Sequence, residues 1–197
     1  MKRIFLAVTV AAAAFAVAPA AVSQASASVQ FDPLTMRVLK TPKTVVQQQE
    51  ATRIPREIVD YKGKQTPGTI VVDTGERRLY LVLDGGQAMR YGIGVARPGF
   101  EWAGSHKVSM KREWPGWTPP EEMKQRQPGL PDYMPGGIDN PLGARAMYIG
   151  STIYRIHGSN DPSSIGQAMS SGCIRMLNED AVDLYDRVKI GAQVIVL

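Results

Sequence analysis

From position 69 onward, short runs of β-branched and aromatic residues alternate with glycine, aspartate and proline. Thr69-Ile70-Val71-Val72-Asp73-Thr74 reads as a strand, and Gly75-Glu76 punctuates it. Arg78 through Leu83 is a second, Asp84-Gly85-Gly86 a turn, and Ala88 through Val95 a third. Runs of this length and spacing predict an antiparallel meander. A further strand is expected near His106–Met110. Ala146–Ile149 and Thr152–Ile156 should form two more around a turn at Gly150-Ser151, and Gln193–Leu197 a closing strand. One segment has helical spacing: Ala181, Leu184, Tyr185 and Val188. Asn178 suits its N-cap, Glu179 and Asp180 its first turn, Arg187 and Lys189 its last, and Gly191 its stop. Glu121 to Gln127 is predicted as a short helix inside a Pro- and Gly-rich stretch over 114–143. The pattern predicts a mainly β (α+β) domain over 68–197.

The residues before it differ in kind. Lys2-Arg3 precedes an apolar run from Ile4 to Ala18, then Pro19 and the small-x-small triplet Ala25-Ser26-Ala27. That order predicts a signal peptide over 1–27, cut after Ala27, with Ala20 a second candidate. The run is shorter than the roughly 20 residues that span a bilayer. No cysteine follows it, which excludes a lipoprotein anchor. Export would place the mature chain in the periplasm or cell envelope. Residues 28–67 are polar, with Gln47-Gln48-Gln49-Glu50 and four scattered prolines. They read as an irregular arm with one short strand near Ile58-Val59.

Composition narrows the chemistry. The chain of 197 residues has one cysteine and two histidines. This excludes an intrachain disulfide, cysteine-rich zinc or iron–sulfur sites and a three-histidine metal centre. The net charge of +5 falls to +3 without Lys2 and Arg3. That is too weak a charge to argue for nucleic acid. No metal or organic cofactor is expected.

The informative stretch is Tyr154-Arg155-Ile156-His157-Gly158-Ser159-Asn160, then Ile165-Gly166, then Ser170-Ser171-Gly172-Cys173-Ile174-Arg175-Met176. A free thiol ionises near pH 8.5, so a nucleophilic cysteine needs a base or cation beside it. His157, at a predicted strand end, is the candidate base. The N–H groups of Ser171, Gly172 and Cys173 could converge on one oxygen, as an oxyanion hole requires. The alternative is a buried histidine and a small core thiol, inert in an oxidising compartment.

These motifs resemble the signature of the L,D-transpeptidases of the YkuD type. The resemblance covers about residues 68–197, including Asn140-Pro141-Leu142-Gly143-Ala144-Arg145 and the terminal helix and strand. It implies a β-sandwich-like catalytic domain with one C-terminal helix, acting on peptidoglycan stem peptides as donor and acceptor. In that family the cysteine attacks the carbonyl of the third stem residue, D-alanine leaves, and a second stem amine resolves the thioester into a 3-3 cross-link. Water or a free D-amino acid is an alternative acceptor. Some relatives use an envelope protein, here an outer-membrane protein. Carbapenems are the implied inhibitors.

Carried onto this chain, Cys173 is the nucleophile and His157 the general base and acid, titrating within about pH 5 to 8 as an ordinary histidine does. Arg175 would bind the stem carboxylate or brace the turn. Gly158, Ser170, Tyr148 and Trp117 are further substrate-side candidates. For Trp117 and its neighbour Trp114, lining the cleft and anchoring the loop are both open. Asp161 would orient His157 or form a turn before Pro162. Many relatives carry a histidine where this chain has Ser171, so His157 would do the proton work alone.

Overall fold

The computed structural model describes residues 54–197, together with the backbone of two short strands before them. Those two, β1 (Gln30–Phe31) and β2 (Val38–Lys40), pair antiparallel in a unit that ends at Val45. The expected signal peptide lies outside the described residues. Among the described residues no helix is long and apolar enough to cross a membrane.

The second unit is built on one sheet. β4 (Ile70–Asp73), β5 (Arg78–Val82) and β6 (Gln87–Gly92) form an antiparallel meander, and β3 (Glu57–Asp60) adds to the outer side of β6. The ten-residue β8 (Gly104–Glu113) carries the chain to the other half. Its first part pairs with β13 (Gln193–Val196), which runs parallel beside β4. Its second part pairs with β9 (Arg145–Ile149) after a register shift between Val108 and Met110. A bulge of this kind bends a strand and increases its twist. β9 is followed by β10 (Arg155–His157) and, beyond it, β12 (Ile174–Arg175). Reciprocal bonds between Gly94 and Arg175, both 2.9 Å, join β12 to the chain just beyond β6. β7 (Val95–Ala96) and β11 (Ala168–Ser170) pair in parallel next to that junction.

The two halves enclose one apolar core. Ile70, Val72, Leu79, Tyr91 and Val194 enter it from one side, and Met147, Ile149, Ile156 and Ile174 from the other. α2 (Asn178–Arg187) adds Ala181 and Leu184. The domain is mainly β with one principal helix, as its patterning predicts; the short α1 (Glu121–Arg126) lies in the Pro-rich loop.

Several boundaries differ from the pattern. The third meander strand breaks at Ile93-Gly94, because those residues turn to meet Arg175 and Gly166. Thr152 is turn rather than strand: its hydroxyl donates to Ile149 O and accepts from Tyr154 N. The expected strand near Ile58-Val59 is β3, and it pairs with β6 in the main sheet.

Asn178 is not the N-cap; Leu177 holds that position. Instead the Asn178 amide accepts from Ala144 N at 2.9 Å and donates to Ser159 O at 3.0 Å. It thereby clamps the entrance of β9 to the exit of β10. Gly158 sits against it: a Cβ there would lie 2.2 Å from Asn178 Oδ1. Two lost hydrogen bonds at a part-buried clamp correspond to about 2 kcal/mol. Asn178→Ala should lower unfolding free energy by about that amount in a urea titration with unchanged slope.

Candidate active site

The parallel pairing of β10 with β12 sets Ile156 opposite Ile174 and His157 opposite Arg175. Ile156 and Ile174 are both buried in the core. Side chains alternate along a strand, so Arg155, His157, Cys173 and Arg175 share the opposite face. Carrying the register back one position places Arg155 beside Cys173. All four line a cleft of about 320 Å³. Its far wall is the Pro-rich loop: Trp117, Pro119, Pro120, Met123, Pro141 and Leu142.

His157 is 3% exposed. Its Nδ1 lies 2.5 Å from the Gly158 carbonyl oxygen. A carbonyl can only accept, so Nδ1 carries the hydrogen and Nε2 keeps the lone pair. Burial lowers the His157 pKa to about 4; Arg175 and Arg155 push the same way, and the Gly158 bond opposes them. The His157 pKa thus lies below the range of an ordinary histidine, because desolvation penalises its cation.

Burial pushes the Cys173 thiol up. Arg155 opposes this through a backbone and a side-chain hydrogen bond and through its charge, and Arg175 by its charge. Arg155 was not among the sequence candidates. Its signal was present: two residues before His157, strand alternation places it on the same face. Its guanidinium lies 5.0 Å from the Tyr148 ring. Its Nε is buried with no hydrogen-bond partner. Among the described residues no carboxylate lines the cleft.

The other candidates sort by position. Ser170 Oγ donates to Cys173 O at 2.6 Å and accepts from Gly172 N at 3.2 Å. That bond engages the N–H of Gly172, one of the expected trio of oxyanion donors. Ser171 lines the cleft, and its hydroxyl accepts from Arg97 Nη1 at 3.0 Å. Trp117 both lines the cleft and anchors the loop through paired bonds with Met134, each 2.8 Å. Tyr148 does not line the cleft and supports Arg155 instead. Gly158 does not line it either; it supplies the carbonyl that orients His157. Asp161 caps the turn Pro162–Ser164 by accepting from Ser163 N, rather than orienting His157. Among the described residues no cluster of histidine, cysteine and carboxylates could hold a metal ion.

The L,D-transpeptidase catalytic domain profile (YkuD) matches residues 67–196. The chain belongs to this family. A relative named "Probable L,D-transpeptidase ErfK/SrfK" from Escherichia coli (strain K12) is 40% identical over 134 residues, 64% of this chain and 42% of its own length. The match thus spans about two fifths of that relative. A solved Brucella melitensis structure, named a probable carnitine operon oxidoreductase, is 47% identical. It covers 73% of this chain and 94% of its own, with a TM-score of 0.50. The transpeptidase LdtMt1, solved in complex with imipenem, shares the fold at 15% identity. It covers 66% of this chain and 58% of its own, with a TM-score of 0.51.

Two outcomes follow from the electrostatics. The unfolded chain holds more protons on His157 than the native one between about pH 4 and 6.5, so stability is complete above 6.5 and falls as pH drops toward 4. A pKa difference of this size corresponds to about 3 kcal/mol. Denaturant titrations at pH 7 and pH 4 should differ by about that amount in the wild type and by clearly less in His157→Gln. Arg155→Gln should raise the Cys173 pKa and with it the pH at which iodoacetamide alkylates the sulfur. The alkylation rate at pH 8 should then fall severalfold, because less of the thiol is present as thiolate.

Proposed function

We propose that this chain is an exported L,D-transpeptidase that forms 3-3 cross-links in peptidoglycan. The observation that carries this is a single cleft holding Cys173, neutral His157, Arg155 and Arg175, with no carboxylate among its described lining residues. Its positive lining suits a stem peptide rich in carboxylates. The signal pattern over 1–27 supports action in the periplasm.

In this reading Nε2 of His157 takes the Cys173 proton as sulfur attacks the acyl carbonyl of the third stem residue. Arg155 stabilises the thiolate at that moment, and Arg175 binds a stem carboxylate. The tetrahedral intermediate collapses, the peptide C–N bond breaks, and the imidazolium returns its proton to departing D-alanine. The thioester remains on sulfur. His157, neutral again, then deprotonates the amine of a second stem, which attacks and restores the thiol. Ser171 offers no ionisable group near neutral pH, so one imidazole serves both half-reactions. The imipenem complex of LdtMt1 supports carbapenems as acylating inhibitors of this chain as well.

Incubated with disaccharide-tetrapeptide, the wild type should release D-alanine and Cys173→Ala should release none by chromatography. The acid limb of its kcat/KM should lie near pH 4, where His157 gains its proton, rather than near 6.5. Equal release by both proteins would remove the assignment.

A further inference from the structure

The turn that carries the nucleophile is held from behind. Trp102 Nε1 donates to the carbonyl oxygen of Gly172 at 2.7 Å. The indole stacks on Tyr154, ring centroids 4.5 Å apart and planes 8° apart. Gly172 has φ +107°, and a Cβ there would lie 2.2 Å from Tyr154 Cε1, so the turn rests against the Tyr154 ring. Trp102 and Gly172 line a second cavity of about 310 Å³, whereas Cys173 lines the catalytic cleft. The Gly172–Cys173 peptide is thus part of the partition between the two. It is trans, as every described peptide bond is. In a trans peptide the C=O and the following N–H point in opposite directions. With the carbonyl fixed toward Trp102, the N–H of Cys173 lies on the other side of the peptide, away from the indole. Among the described residues no backbone acceptor outside the strands and helices is paired with it.

We infer that Trp102 is a positioning residue: by holding the Gly172 carbonyl it aims the Cys173 N–H at the oxygen of the acyl group under attack. This rests on the acyl-transfer reading above. As sulfur bonds to the carbonyl carbon, the C=O π pair moves onto oxygen, and that oxyanion accepts the fixed N–H. The neighbouring Gly172 N–H is tied to Ser170, so the orientation of this one peptide carries added weight. A donor fixed in advance has no reorganisation to undergo during the step.

W102F separates this role from a structural one. Phenylalanine keeps a ring to stack on Tyr154 and removes the donor. Attack on the β-lactam carbonyl of imipenem develops an oxyanion; displacement of iodide from iodoacetamide does not. W102F should therefore be acylated by imipenem about tenfold more slowly, the effect of losing one well-placed hydrogen bond. Its alkylation rate should stay within about twofold of wild type at each pH, since the thiol is unchanged. Intact-protein mass spectrometry follows both reactions. Unchanged acylation would overturn the inference. So would a parallel loss of acylation and alkylation, which marks a general loosening of the turn. A wild type that alkylates normally but is inert to both imipenem and tetrapeptide would overturn the acyl-transfer reading, and this inference with it.

Discussion

The site depends on two residues of parallel strand pairing. Ile156 and Ile174 face each other across β10 and β12, and both are buried in the core. Burying two isoleucine side chains is worth several kcal/mol, and a slip of one position in either strand would turn its isoleucine outward. Such a slip of the first strand would turn His157 inward, and of the second Cys173. Core packing therefore fixes which face bears these side chains, and the fifteen positions between histidine and cysteine only need to return the chain to this edge. The reciprocal Gly94–Arg175 bonds hold that edge from its other side.

The cleft created by this register is positive and partly dry. Burial holds His157 neutral and the Cys173 thiol protonated. Desolvation favours the uncharged form of each. Arg155 and Arg175 act on both: they disfavour a charged imidazole and favour a charged sulfur. In the proposed acyl transfer these charges oppose proton uptake by nitrogen and assist proton loss from sulfur. Arg155 stands beside Cys173 in the strand register, so its effect on the sulfur is local. The Gly158 carbonyl counters the opposing effect by accepting from Nδ1, which stabilises the imidazolium while it exists.

Ser171 lines the cleft immediately before the Gly172-Cys173 pair. Its hydroxyl receives the Arg97 guanidinium, and the Arg97 backbone N–H bonds Ser170 O at 3.0 Å. Together with Trp102 on Gly172, the segment after β7 grips three successive residues of the nucleophile's turn. The turn that carries Cys173 is therefore held at each of the three residues before it. The Pro-rich loop opposite is held in a similar way. Buried Asn140 bonds Met134 O, Pro135 O and Leu142 N, and so fixes the wall that faces the thiol.

Sequence alone determined the strands whose burial is local and periodic. Ile70–Val72 and Leu79–Val82 alternate or run apolar because each strand faces the core along its whole length. It also determined the helix, whose spacing needs no partner to be read, and it singled out Cys173 and His157 as candidates, because a rare thiol and imidazole among small residues are visible as chemistry. What it could not determine were β7, β11 and β12, two or three residues each, whose hydrogen bonds come only from distant chain. Nor could it show that Asn178 clamps two strands instead of capping its helix, or that Tyr148 lies under Arg155 rather than in the cleft. Arg155 and Trp102 gained their places only when long-range pairing set one beside the sulfur and the other behind its peptide. Periodicity records which face of an element is buried; it holds no record of which polar atoms from remote segments then meet, because those contacts are fixed by packing in three dimensions.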